Sequence, residues 1–212
     1  MILGIDIDST LTDDDVNTEF IIKTGNEFFK KEPVKIHEEC VSIMFDVSKE
    51  EEDRYWELYG VEFIKQSVPR DGLMEFAKQI HFLQIPYIII TNRCDGDNVA
   101  SIGTSIKKRL SEQFITKYFG PSKIIFNNEG SKLNHILRNH IDIMMEDSVY
   151  QITELSKACT CIKMPTHCNM DLKGSNIIAA ENLINALQII KILKPIYDVH
   201  GGRIYNVKPA IL

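Results

Sequence analysis

The chain has 212 residues, which at about 150 residues per domain is one large domain or one domain carrying a sizeable insertion. It is 44% hydrophobic and 25% charged, which excludes a disordered, collagenous or coiled-coil chain. Lys and Arg number 24 against 30 Asp and Glu, a net charge of −6, so bulk binding to nucleic-acid phosphates is excluded too.

Short apolar runs alternate with longer amphipathic stretches along the chain. The runs are Met1 to Ile7, Pro86 to Ile90, Lys123 to Phe126, Ile141 to Met145 and Cys161 to Met164. Runs this short and this continuously apolar suit strands buried on both faces, as in a parallel sheet. Between them the spacing predicts helices over Leu73 to Phe82, Asn98 to Phe114, Leu133 to His140 and Asn176 to Ile192. Strand alternating with helix predicts an α/β fold with a Rossmann-like parallel sheet.

Residues 13–70 break that rhythm and read as several helices inserted after the first strand. Ser48 and Glu51 form a capping box that opens a helix through Tyr59. Val68 to Gly72 reads as the loop returning to the core. The expected organisation is a catalytic core of residues 1–12 and 71–212 with a helical cap at 13–70. Near the end, Gly201-Gly202 predicts a hairpin over Tyr197 to Val207.

No stretch approaches the ~18–20 apolar residues of a membrane helix. The first residues lack the basic region of a signal peptide. Cys40, Cys94, Cys159, Cys161 and Cys168 are scattered and odd in number, which points to a reducing cytoplasm. Cys159 and Cys161 with His167-Cys168 lack the usual zinc spacing and read as strand and loop residues.

Three strand ends and one helix start carry candidate chemistry. Asp6 and Asp8, two apart in an extended chain, point the same way where the first strand ends. Clustered carboxylates repel and call for a cation or a shared proton. Ile90 is followed by Thr91-Asn92-Arg93, Met145 by Glu146-Asp147, and Lys132 opens a helix near the same edge. Open α/β sheets bind ligands at that carboxyl edge.

In these features the chain resembles the haloacid-dehalogenase-like (HAD) phosphohydrolase superfamily. Asp53 to Tyr59, Ile90 to Arg93 and Ile141 to Ser148 narrow the resemblance to the 5′(3′)-deoxyribonucleotidase family. Asn169 and Lys173 to Ile177 sit where that family continues into its last helix. The resemblance implies a 5′-nucleotidase that uses Mg²⁺ and an aspartyl-phosphate intermediate. Asp6 would be the nucleophile. Asp8, its pKa raised by nearby carboxylates, would protonate the leaving group and later activate water. Mg²⁺ would be held by the side chains of Asp6 and Asp147 and the Asp8 carbonyl. Thr91, Asn92 and Lys132 would bind phosphate. Glu146 replaces a common aspartate and would sit behind the metal ligands, and Ser9 replaces a common glycine.

The cap would exclude water and select the substrate. Tyr55, Trp56 and Tyr59 lie on one cap helix and could stack on a nucleobase, worth ~1–3 kcal/mol per base, or pack the cap's own core. Phe45 is a further candidate. Asp13-Asp14-Asp15 reads as a hinge and helix start. The expected partner is a small phosphomonoester, foremost a nucleotide, with no nucleic-acid polymer and no membrane, and with a homodimer left open. Alternatives are a phosphatase for another small phosphomonoester and a receiver-like phospho-accepting domain. Receivers are shorter and need no Asp8. No Walker A sequence supports a kinase.

Overall fold

A computed structural model describes residues 1–93 and 102–199. In chain order the elements are β1 (Leu3–Ile5), α1 (Asp14–Phe29), α2 (Val41–Phe45), α3 (Lys49–Gln66), α4 (Leu73–Phe82), β2 (Tyr87–Thr91), α5 (Ile102–Phe119), β3 (Ile124–Phe126), α6 (Leu133–Arg138), β4 (Ile143–Glu146), α7 (Val149–Leu155), β5 (Thr160–Lys163), β6 (Ile177–Ala179) and α8 (Leu183–Val199).

The strands form one parallel sheet in the order β3-β2-β1-β4-β5-β6. This is the α/β, Rossmann-type arrangement that the alternating runs predict. Side chains on a strand alternate between faces, and each face here is covered. Leu3, Ile5, Ile89, Ile143, Met145 and Ile162 pack with α4, α5 and α8 residues such as Phe76, Ile115 and Ile190. Ile88, Ile90, Met144 and Cys161 pack on the other face with Ile136 of α6 and Ile152 and Leu155 of α7. A strand buried on both sides has no room for polar residues, which is why the runs are continuous. The connection from β1 leads to β2 on one side, and that from β4 leads to β5 on the other. The β1/β4 boundary is therefore the point where the winding direction reverses, and its carboxyl-end crevice is the expected ligand site.

The segment between β1 and α4 is helical, as expected. Asp13 caps α1 by accepting from the Val16 amide at 3.0 Å. The Ser48–Glu51 capping box is present, and α3 runs past Tyr59 to Gln66. Val41, Met44, Phe45 and Tyr55 form an apolar cluster of their own, flanked by Phe28, Phe29, Trp56 and Tyr59. Gly25 of α1 makes that packing possible, because a Cβ there would stand 2.3 Å from the Phe45 ring. The chain returns beside its departure point, with the Asp13 amide donating to Val68 O and the Arg70 amide to Leu11 O.

Three expectations are corrected. Asn176 to Ile192 is not one helix. Ile177–Ala179 is an edge strand, and α8 begins at Leu183, where the Asn182 side chain accepts from the Asn185 amide at 2.9 Å. The hairpin does not start at Tyr197. Tyr197 to Val199 close α8, and the Tyr197 ring is buried with its hydroxyl 2.6 Å from Thr160 Oγ1; Gly201-Gly202 lies outside the described residues. The helix expected from Asn98 runs on past Phe114 to Phe119, and its expected start also lies outside them. Among the described residues no helix is long and apolar enough to cross a membrane.

Candidate active site

The β1/β4 boundary gathers four of the residues singled out from the sequence. Lys132 opens α6 from the far side of the sheet, and only 1% of its surface is exposed. Its ammonium donates to Asp6 Oδ1 at 2.5 Å and to Glu146 Oε2 at 2.7 Å. The backbone sets this position: the Lys132 amide donates to Gln151 Oε1 of α7 at 3.0 Å. Asp6 follows β1 and Glu146 ends β4, and the Asp6 amide donates to Met145 O across that pair of strands. Asp147 stands beside them, its Oδ1 accepting from Thr10 Oγ1 at 3.0 Å. Asn169, from the loop after β5, donates to Asp147 O and Met164 O at 2.6 and 2.7 Å and so ties the β4 loop to the β5 loop.

The electrostatics of this group are strained. Asp6, Glu146 and Asp147 face a single ammonium, and carboxylate oxygens of the three lie within 4.8 Å of one another. Burial, reinforced by Glu146 and Asp8, pushes Asp6 up to about 7 in spite of Lys132. Burial, then Glu146 and Asp6, raises Asp147 well above the carboxylate range. Burial by itself would lower the Lys132 ammonium, but Asp6 and Glu146 outweigh it and hold the group above its ordinary value. A carboxylate cluster short of positive charge, offering only oxygen donors, suits a hard divalent cation such as Mg²⁺. Glu146 is already committed. One of its oxygens serves Lys132, and the other accepts from the Asp147 and Ser148 amides at 3.2 and 3.3 Å. It therefore braces Lys132 and the β4 loop and leaves Asp6 and Asp147 as the carboxylates free to meet a cation.

The Asp8 carboxylate is paired with Arg93. Arg93, which the sequence presented without a role, donates to both Asp8 oxygens, from Nε at 3.0 and 2.9 Å and from Nη2 at 2.5 Å. Thr91 is fully buried at the end of β2, and its hydroxyl accepts from the Arg93 amide at 3.3 Å. Asn92 is exposed and accepts from Asn127 Nδ2 at 2.7 Å. Asn127 directly follows β3 and was missed, although the reasoning applied to the ends of β1, β2 and β4 would have found it. Ser9 sits at φ 51°, the left-handed region that favours glycine. It is held there by Arg70, which donates to its carbonyl, and by Asn17, which donates to its hydroxyl.

The aromatic residues divide. Tyr55 is completely buried, its hydroxyl 2.7 Å from Thr24 Oγ1, and its ring packs on Phe28, Phe29 and Tyr59. Its expected place against a base is corrected, since nothing of it is exposed. Phe45 is equally buried in the same cluster. Trp56 and Tyr59 are half-buried and pack on Tyr55 as well.

Asp13 is the helix cap that the sequence suggested, but Asp14 and Asp15 also converge on His167. Asp15 Oδ1 lies 2.8 Å from His167 Nε2, and Asp14 accepts from the His167 amide. Cys159 and Cys161 are buried and donate to Leu155 O and Ile152 O, as strand and loop residues do.

No protein-family model and no curated protein matches this sequence. Solved structures do match its fold. A predicted phosphatase from Clostridium acetobutylicum superposes with a TM-score of 0.63 at 16% identity, over 91% of this chain and 98% of that one. A haloacid-dehalogenase-like family hydrolase from Streptococcus pneumoniae gives 0.62 at 11% identity, over 89% and 97%. A HAD hydrolase of family IA, variant 3, from Entamoeba histolytica gives 0.59 at 17% identity, over 90% and 99%. At these identities the likeness is one of fold: an α/β chain built on the Rossmann-type plan of the haloacid-dehalogenase-like hydrolases.

Proposed function

We propose that this chain is a Mg²⁺-dependent phosphomonoesterase with its catalytic core in residues 1–12 and 71–212 and a helical cap in 13–70. The observation that carries the reading is the buried bridge from Lys132 to Asp6 and Glu146, beside Asp147, at the β1/β4 boundary. An ammonium fixed on the carboxylate nearest the crevice is the charge arrangement needed to bring a phosphate dianion onto an aspartate.

In this reading Asp6 Oδ attacks phosphorus, and the bond to the ester oxygen breaks as Asp8 supplies its proton. Water then attacks the aspartyl-phosphate, giving its proton to Asp8 as the bond from phosphorus to Asp6 breaks. Lys132 offsets charge on Asp6 and on the phosphoryl oxygens, and Thr91 with the Asn92 backbone provides further donors. Asp6 and Asp147, with the Asp8 carbonyl, would hold Mg²⁺, which when bound neutralises charge on the phosphoryl group. The acidic, all-oxygen cluster supports this assignment. The α1–α2 loop supports the cap: Glu39 accepts from Ser148 Oγ at 2.8 Å and from the Val149 amide, directly after Asp147.

For the substrate, a nucleoside monophosphate is the reading that Trp56 and Tyr59 support, since neither residue is fully buried. A small phosphomonoester without a base is the second reading, and Arg93 beside Asp8 favours it. Free cysteines at 40, 159, 161 and 168 agree with the cytoplasmic expectation. The test is phosphate release from nucleotides and small phosphate esters, with Mg²⁺ and with EDTA. Turnover should require the metal, and folded Asp6→Asn should retain less than about one per cent of it, as expected for loss of a nucleophile. Activity in EDTA, or an active Asp6→Asn, overturns the reading.

A further inference from the structure

The pairing of β4 with β5 ends one residue short of Asp147. Glu146 is the last residue of β4 and stands opposite Lys163, and the Met164 amide donates to Glu146 O at 2.9 Å. Asp147 O and Met164 O lie just past that point. One side-chain amide serves both, since Asn169 Nδ2 donates to them at 2.6 and 2.7 Å. Asn169 is buried, and its Oδ1 accepts from the Thr166 amide at 3.3 Å. It takes the place of a further rung of the sheet. It fixes the main chain of Asp147 and leaves the carboxylate oxygens out of the bond.

Asn169 is itself held. It lies in an irregular loop, and Lys163, the last residue of β5, is buried beneath that loop. The Lys163 ammonium donates to Asn169 O at 2.8 Å, Leu172 O at 3.1 Å and Met170 O at 3.2 Å. An ammonium has three N–H groups, and all three are spent on this one loop. Burying a charge is costly unless it is fully hydrogen-bonded, and here those bonds shape the segment that carries Asn169.

Asp147 needs such support. Carboxylate oxygens of Asp6, Glu146 and Asp147 lie within 4.8 Å of one another and repel, which favours a swing of Asp147 away from the others. Thr10 holds one oxygen of its side chain, and Asn169 holds its main chain. In the Mg²⁺ reading of this site, on which this inference rests, carboxylates held in place beforehand need no rearrangement when the ion binds. We propose that Asn169, seated by Lys163, is a positioning residue that sets the metal affinity of the site through Asp147.

The test is Mn²⁺ binding to the substrate-free protein, read from the electron paramagnetic resonance signal of the free ion. Mn²⁺ accepts the same oxygen donors as Mg²⁺. Uptake that persists in Asp147→Ala is subtracted, which isolates binding that depends on Asp147. Asn169→Leu keeps the size of the side chain and removes its amide. Its Kd for Mn²⁺ should rise roughly ten- to a hundredfold, the scale for residues that orient metal ligands. Lys163→Met loosens the loop, leaves Asn169 in the chain, and should raise Kd in the same direction. Turnover lost at limiting Mg²⁺ should be recovered as Mg²⁺ is raised. A purely structural role would lower Tm in EDTA without moving Kd. A Kd within about threefold of wild type in folded Asn169→Leu therefore overturns the proposal, whatever its Tm. If Asn169→Leu does not fold, Lys163→Met decides by the same threshold. A wild type with no Asp147-dependent Mn²⁺ uptake overturns the Mg²⁺ reading itself, and that failure is seen before any variant at 163 or 169 is measured.

Discussion

Replacing Lys132 by methionine keeps an unbranched side chain one atom shorter and removes the cation that faces Asp6 and Glu146. The ammonium and both carboxylates are almost wholly inaccessible, at 1%, 7% and 2% side-chain exposure, so water cannot take its place. Breaking a buried pair by deleting one partner costs ~3–5 kcal/mol, because the other partner is left uncompensated. In a chain of this size each kcal/mol moves Tm by ~2–4 °C, so Lys132→Met should melt about 6–20 °C below wild type in EDTA. Protons can relieve part of this at low pH, so the assay belongs at pH 8. A divalent cation restores positive charge at the same carboxylates, so millimolar Mg²⁺ should raise the variant's Tm more than that of wild type. The rate should not recover with stability, since the charge on the phosphoryl group is still missing, and kcat should remain ~10²–10³ lower. A Tm in EDTA within about 2 °C of wild type would refute the reasoning, because a shift that small corresponds to less than one kcal/mol.

Two other substitutions test neighbouring parts of the argument. Asp147→Ala should raise the Mg²⁺ concentration at half-maximal rate by tenfold or more, the scale on which metal sites respond to lost support; an unchanged metal titration would remove Asp147 from the site. Tyr55→Phe deletes the buried hydroxyl paired with Thr24 and should cost about 1 kcal/mol in urea unfolding. It should leave KM for nucleoside monophosphates unchanged, and a KM rise would return Tyr55 to the substrate.

The sheet was legible because burial on both faces writes itself as continuous apolar runs, and five of the strands follow them closely. β6 was not, because Ile177-Ile178 is a short edge run that merges with the periodic pattern of α8. The Asn182-x-x-Asn185 cap was the local sign that a helix starts later. Asp6, Glu146 and Asp147 could be placed together from strand ends, and Lys132 from the helix start beside them, since parallel strands deliver their carboxyl ends to one edge. The Arg93–Asp8 pair could not. It joins residues 85 positions apart, and nothing in a Thr-Asn-Arg sequence says where the guanidinium turns. The aromatic residues of α3 failed for a different reason. A Tyr at helical spacing is equally suited to a base and to a core, and only the fit of Gly25 under Phe45 shows that this small cluster is packed around Tyr55.

The same surplus of carboxylates fixes how stability responds to pH when no metal is present. Asp6 titrates near 7 in the folded protein against 3.8 for the ordinary group, and Asp147 is shifted in the same direction. Between those limits the folded state holds protons that the unfolded chain has released. Stability must then fall as pH rises, because the slope follows the protons bound in the unfolded state minus those bound in the folded state. The stabilisation is complete below about pH 4 and lost as pH rises through about 7. Glu51, Glu129 and Asp198 act in the opposite sense. Hydrogen bonds from Ser48, Asn134 and Lys194 hold them low, so their contribution is lost only as pH falls below the ordinary carboxylate range. They do not mask a decline between pH 5 and 8. Urea unfolding in EDTA across that interval should show the decline, and Asp6→Asn should flatten it by removing one titrating group. Mg²⁺ should flatten it as well, by favouring the ionised carboxylates that protonation would otherwise neutralise. Metal-free stability that holds level or rises from pH 5 to 8 would mean that Lys132 alone balances the cluster, and the case for a cation between Asp6 and Asp147 would lose its physical basis.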